Sequence, residues 1–194
     1  RHYLDDRVKV PSAPAAFRVL AVDILQAPHR LDHVAALRDP RTFMNRVRAA
    51  AAEQGRKAPF MWVVSMQMPG SPPQGLVFYM GRDLPHGEDP AFDKLFDRYV
   101  QGGEEWRNKR IKLIPRVVEG AWMVKKAVGT KPAIIGTKLK HRYFDGEGYS
   151  EVDVDVGSSA MAVGVLKVVK GYAKMLVLDM AFVLQGDEED ELPE

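Results

Sequence analysis

The 194-residue chain contains no cysteine, which excludes disulfides, thiolate metal sites and cysteine nucleophiles together. That absence fits a reducing compartment, so a cytoplasmic location is expected. Long apolar runs are also missing. Met175–Leu178 and Met180–Leu184 are among the longest, far short of the roughly 20 residues that a membrane-spanning helix requires. No signal-peptide pattern opens the chain, and Arg1-His2-Tyr3 begins abruptly, as at a boundary within a longer protein. Repeats and low-complexity tracts are absent. The prolines and glycines of Pro69-Gly70-Ser71-Pro72-Pro73 and of Leu84–Pro90 read as turns, not as linkers between domains.

What is present is the composition of one globular domain, with 46% hydrophobic and 28% charged residues. Residues 1–186 are expected to form that domain, and 187–194 an acidic, mobile tail. The net charge of +2 conceals an asymmetry. Residues 107–142 hold eleven Lys/Arg against the single acid Glu119, whereas 187–194 hold six acids and no base. Such segregation speaks of partners, not of fold.

Periodicity predicts strands over Phe17–Leu25, Phe60–Met68, Leu76–Gly81, Arg110–Val118 and Lys174–Gln185. Helices are predicted over Arg41–Gln54, ended by Gly55, and over Pro90–Gln101, where Phe92, Leu95, Phe96 and Tyr99 share a stripe. Ser158 or Ser159 can cap a third helix running to Gly171. The stretch from Trp122 to Val128 fits either a short helix or a strand. Around Asp145-Gly-Glu-Gly148, two alternating segments predict a hairpin in which Arg142 meets Glu151, Lys140 meets Asp153 and Lys138 meets Asp155.

Several segments resemble one family: Arg110-Ile-Lys-Leu-Ile-Pro115, Val118-Glu-Gly-Ala-Trp122, Val128-Gly-Thr-Lys-Pro132, Gly136-Thr-Lys-Leu139, the run Glu151–Ser159 and Val177–Phe182. Tyr3-Leu4-Asp5 and Lys9-Val10-Pro11 add to the likeness. The pattern is similar to the C-terminal domain of the plant protein ENHANCED DISEASE RESISTANCE 2 and its relatives. The resemblance implies a domain of unknown function that often follows pleckstrin-homology and START domains. The proteins that carry it are linked to phosphoinositide binding and control of cell death. It supplies no catalytic residues.

Candidate chemistry has a plain alternative at each place. Glu151, Asp153 and Asp155 share a strand face and could hold a divalent cation, but the cross-strand ion ladder uses all three. His29 and His33 have the i, i+4 spacing of a helical zinc pair, yet Arg30 stands where the zinc-protease motif needs Glu, so a solvated surface pair is expected. Ser158-Ser159 with His141 and Asp155 is a remote hydrolase candidate without a Gly-x-Ser-x-Gly elbow. Residues 129–136 lack the Gly-Lys-Ser/Thr ending of a phosphate loop. No cofactor or metal is implied, and the chain reads as non-catalytic.

Outside the ladder, Arg107, Lys109, Arg110, Lys112, Arg116, Lys125, Lys126 and Lys131, interleaved with Trp106 and Trp122, form a candidate surface for anionic membranes, phosphoinositides included. An ordinary solvated face is the alternative. No nucleic-acid motif accompanies the charge. Trp62, Met66, Phe78, Met80, Met161, Met180 and Phe182 could line a deformable acyl-chain cavity, or simply fill a core.

The expected fold is α+β: a curved, largely antiparallel sheet of six to seven strands with packed helices, in which Lys174–Gln185 returns to the middle. A helix-grip shape like that of START domains is one form it could take. The expected function is a lipid-binding or membrane-apposed regulatory module, peripheral on membranes. The alternative is a protein-interaction domain that uses the acidic tail and the basic face.

Overall fold

The computed structural model describes residues 14–82, 87–188 and 191. The Tyr3-Leu4-Asp5 and Lys9-Val10-Pro11 segments and part of the Leu84–Pro90 loop lie outside them. The fold is α+β, built on a five-stranded and a three-stranded sheet.

The larger sheet runs β1 (Arg18–Gln26), β3 (Gln74–Gly81), β2 (Met61–Met68), β7 (Tyr149–Asp155), β6 (Lys140–Gly146). Its pairs are antiparallel except β2–β7, which is parallel. Seven of the eight residues of β2 are buried, because both sheet faces are covered. On one face Trp62, Val64, Met66, Val152 and Val154 meet Leu95, Phe96 and Tyr99 of α2 (Pro90–Gln101). On the other, Met61, Val63, Val77 and Tyr79 meet Val34, Ala35 and Met44. Met44 belongs to α1 (Phe43–Glu53), whereas Val34 and Ala35 form a short 3-10 turn in the loop that precedes it. A near-continuous apolar strand is what two-sided burial demands.

The smaller sheet is β5 (Ala133–Ile134), β4 (Ile111–Glu119), β8 (Val177–Leu184), all antiparallel. It packs on the first sheet through contacts such as Phe78 with Phe182, whose ring centroids are 5.2 Å apart. Bulges lie at Val19–Ala21 in β1 and Val117–Glu119 in β4, where they bend the strands. Two short helices flank β4: α3 (Glu104–Arg110) before it and α4 (Trp122–Val128) after it. Helix α5 (Ala160–Tyr172) starts at Ser159, whose Oγ accepts from the Ala162 N–H.

Three expectations need correction. The hairpin closes on a two-residue turn, Glu147-Gly148, so its register moves by two: Lys140 faces Asp155, Arg142 faces Asp153 and Phe144 faces Glu151. Gly148 has φ 77°, the conformation that tight hairpin turns require. β8 does not enter the middle of the sheet but forms the edge of a second one. A helix-grip arrangement is not confirmed: α5 packs on the core through Ala162 and Leu166, but none of its residues is fully buried. The acidic segment is not loose throughout: the Glu191 carboxylate is fully buried against Arg98 and Arg110, with Asp187 also on Arg110.

Candidate functional site

The basic segment divides into two populations. Arg107 and Arg110 are structural. The Arg107 guanidinium donates to Asp145 Oδ2 at 2.7 Å and to Ser150 Oγ at 3.1 Å, and lies over the rings of Tyr99 and Tyr143. Arg110 bonds Glu191 and the Gln185 carbonyl, while Trp106 is stacked by Arg98 and Arg110. Lys109 pairs with Glu105 one turn back on α3, and Arg116 with Asp179 across the β4–β8 ladder. These four cations are neutralised by neighbouring carboxylates and do not form one outward face.

The second population gathers at one end of the small sheet. At Gly120 (φ 147°) the chain turns from β4 into α4, with its backbone against the Leu176 side chain and the Met175 carbonyl. Around this junction Trp122 is 68% exposed, Met175 68%, Met123 48%, Val177 46% and Val118 41%. Lys125 and Lys126 are exposed on α4, and the Lys126 ammonium lies 5.9 Å from the Trp122 ring centre. Lys174 is exposed beside Met175, and Lys131 is exposed after α4. Val124 anchors α4 in the interior. An apolar rim edged with lysines results. Lys112 is half-buried within β4, apart from this rim.

The residues proposed for a cavity are mostly packed. Trp62, Met66 and Met80 are buried core members, and Phe78 and Phe182 pack against them. Met180 is half-buried, and Met161 is 82% exposed on α5. The structure therefore does not bring these seven together around one space.

A polar cleft of about 480 Å³ opens beside β6, lined by Arg30, Gln67, Asn108, Leu139, Lys140, His141, Arg142, Asp153 and Asp155. Arg30 bonds Asp155 at 2.8 Å and Asp32 at 3.1 Å, and Arg142 bonds Asp32 at 2.5 Å. Burial opposes the charge on Asp32, yet the Gln67 hydrogen bond and the two guanidiniums hold its carboxyl below the usual range.

Beneath this ring the acids of β7 are buried, contrary to the expected surface ladder: Glu151 is 0% and Asp153 1% exposed. The two Glu151 oxygens accept from the Val34 and Ala35 N–H groups, each at 2.7 Å. Asp153 Oδ2 accepts from the His33 N–H and from Gln67, each at 3.0 Å. Burial, then the neighbouring Asp153, pushes the Glu151 carboxyl up to about 8, and burial raises Asp153 as well. His33 itself is not a free surface residue. It holds a left-handed backbone (φ 56°), its Nε2 lies 2.6 Å from the Tyr149 hydroxyl, and its ring stacks on Phe144. Among the described residues no group of three or more His, Cys, Asp or Glu is arranged to hold a metal ion.

The candidate serines are committed to the backbone. Ser158 Oγ donates to the Asp155 carbonyl at 2.6 Å and accepts from the Lys140 N–H. Ser159 caps α5. His141 uses Nδ1 on the Leu139 carbonyl, and burial lowers its pKa. No Ser–His hydrogen bond occurs among the described residues.

The family model of the C-terminal region of Protein ENHANCED DISEASE RESISTANCE 2 matches residues 1–194. The chain belongs to that family. It is 38% identical over 195 residues to a Protein ENHANCED DISEASE RESISTANCE 2-like from Arabidopsis thaliana, covering all of this chain and 25% of that protein. The chain thus spans a quarter of the length of this curated relative. No solved structure matches it.

The motifs that carried the family resemblance are largely architectural in this ENHANCED DISEASE RESISTANCE 2 C-terminal domain. Gly136 presses on the backbone of Asn108: a Cβ there would stand 2.2 Å from the Asn108 oxygen. The Glu151–Ser159 run supplies the buried acids, the Ser158 clamp and the α5 cap. Only Val118–Trp122 leads to the exposed rim. The clasp between β7 and the 33–35 turn was missed in the sequence.

Proposed function

We propose that this domain is a non-catalytic regulatory module that lies against anionic membrane surfaces, using the rim formed by α4 and the adjoining ends of β4 and β8. One observation carries the reading: Trp122, two-thirds exposed, stands beside Met123, Met175, Lys125 and Lys126. Tryptophan favours the interfacial layer of a bilayer, and each lysine held near an anionic surface contributes about 1 kcal/mol. Aliphatic side chains at the same rim add burial on contact. The relative's name, ENHANCED DISEASE RESISTANCE 2-like, is consistent with a regulatory role in disease resistance. No helix among the described residues is long and apolar enough to cross a membrane, so attachment would be peripheral.

Sedimentation with vesicles tests this. The domain should pellet with vesicles of phosphatidylserine and phosphatidylcholine at low salt, and less with phosphatidylcholine alone. Combining Trp122→Ala with Lys125→Glu and Lys126→Glu should abolish the difference. Equal pelleting of the unaltered domain with both vesicle types would overturn the proposal.

A protein-docking face is favoured by a different observation. Helix α5 is apolar around most of its circumference, yet none of its residues is fully buried, and helices of that composition are normally covered. Under this reading the domain ignores vesicles, and Met161→Glu disrupts association with another part of a longer protein.

A further inference from the structure

The strand face that carries Glu151 and Asp153 contains more buried negative charge than its surroundings can neutralise. Three successive backbone N–H groups, those of His33, Val34 and Ala35, point at the two carboxylates. The left-handed backbone of His33 aims them there. No arginine or lysine among the described residues pairs with either acid. Arg30 is engaged by Asp32 and Asp155, and Arg142 by Asp32. Arg48 of α1 is turned to the Ala35 carbonyl and the Tyr149 ring. Lys140 projects on the same face of β6, opposite Asp155. From β2 the pair meets only neutral groups, Gln67 and Ser65, and Tyr79 from β3 and Tyr149 from β7 are neutral phenols below alkaline pH; from residues 27–37 themselves, Asp32 opposes and the His33 side chain favours the charge on Asp153. Asp153 Oδ1 is buried and has no hydrogen-bond partner.

Two buried carboxylates two residues apart on one strand cannot both stay ionised without cations. One proton shared between them removes the conflict. Asp153 Oδ1 is the one oxygen of the four without a donor, and it is there that the two carboxyls can share the proton. Held there, it leaves a single net charge for three N–H donors and Gln67 to satisfy.

We propose that residues 27–37 form a proton-held latch, closed over β7 while Glu151 and Asp153 share a proton and progressively released when that proton passes to water. Opening hydrates both carboxylates and withdraws the His33–Ala35 donors. It also moves Arg30, which lines the polar cleft beside β6. The shape of that cleft therefore depends on the protonation of the pair. The inference is independent of the membrane reading, because latch and rim lie on different sheets.

The sign follows from linkage. A carboxyl raised from 4.5 to about 8 in the closed state favours closure fully at low pH. The opening constant then rises by about tenfold per pH unit between the two values and levels off above them. Native-state hydrogen exchange reads this directly. Opening constants for the His33, Val34 and Ala35 amides, taken relative to intrinsic rates, should climb from pH 5 to pH 8 in the unaltered domain. Those of Val63 and Val64 in β2, which open only with the whole domain, should stay smaller at every pH. Asp153→Asn is the informative variant: its amide cannot ionise and can donate to Glu151, so its latch amides should climb less steeply than those of the unaltered domain.

A flat wild-type profile would overturn the proposal, as would a wild-type slope in Asp153→Asn. Equal opening constants at the latch amides and at Val63 and Val64 would also overturn it, because the event would then be global unfolding. Should Asp153→Asn not fold, the wild-type contrast between latch and β2 amides decides alone.

Discussion

The Arg107 guanidinium lies 4.1 Å from the centre of the Tyr143 ring, with its edge spent on Asp145 and Ser150. A positive residue read from sequence as a membrane contact is in fact part of the interior, tying α3 to the β6–β7 hairpin. Arg107→Ala should therefore destabilise the domain by about 1–3 kcal/mol, since the buried guanidinium's packing is lost and Ser150 loses its donor, while Asp145 stays exposed to solvent. Arg107→Lys should recover less than half, because an ammonium can neither stack flat on Tyr143 nor reach two oxygens in one plane. Denaturant unfolding with an unchanged m value checks both. A stable Arg107→Ala domain that loses only vesicle binding would show this assignment to be wrong.

Gly136 makes a prediction of the same kind from backbone alone. With Asn108 atoms 2.2–2.7 Å from the place of a Cβ, Gly136→Ala must push α3 and the 135–137 turn apart. A loss of about 1–3 kcal/mol is expected, as for other overpacked sites. Gly129→Ala serves as the contrast: nothing lies near its Cβ position, and its φ of 69° alone sets the strain.

Acid stability should depend on His141. Burial lowers its pKa in the folded state below the ordinary 6.5, so folding excludes a proton that the unfolded chain accepts. The contribution is present above about 6.5 and is lost as pH falls below it. His141→Asn should lose less stability than the unaltered domain between pH 6.5 and pH 5. The Glu151–Asp153 pair acts in the opposite direction over the same range, so the difference between the two proteins is the quantity to measure by thermal or denaturant unfolding. Identical pH profiles would exclude this role for His141.

The legible parts of the fold were those decided locally. The Phe92, Leu95, Phe96, Tyr99 stripe places α2 because one helix face meets one core, and Pro90 and Gly102 end it within the same dozen residues. β2 and β3 followed from apolar content and an intervening turn. The hairpin was readable in its facing but not in its register, since Asp145-Gly146-Glu147-Gly148 offers more than one way to turn and both keep the same residues on the same side. Burial of Glu151 and Asp153 was not readable at all. It depends on a loop about 120 residues earlier arriving with three N–H groups, and nothing in the alternation of acids with valines announces that.

The rim was legible only in part. Trp122, Lys125 and Lys126 lie close in sequence, but Met175 and Val177 join them through the β4–β8 ladder, where Glu119 pairs with Val177. The same ladder neutralises Arg116 with Asp179. Counting basic residues along the chain could not separate cations that face water from those with a carboxylate across the strand.

The parallel pairing of β2 with β7 joins Met61 to Tyr149, so the centre of the large sheet is closed by segments 88 positions apart (149 − 61). Chain entropy opposes contacts of such range until something nearer has formed. The β2–β3 hairpin, the β6–β7 hairpin and α2 can each assemble from their own neighbourhoods. The seam between the two hairpins has to wait for them. Amino acid changes along that seam should therefore leave the refolding rate of each half nearly untouched while altering how long the finished sheet survives before it comes apart.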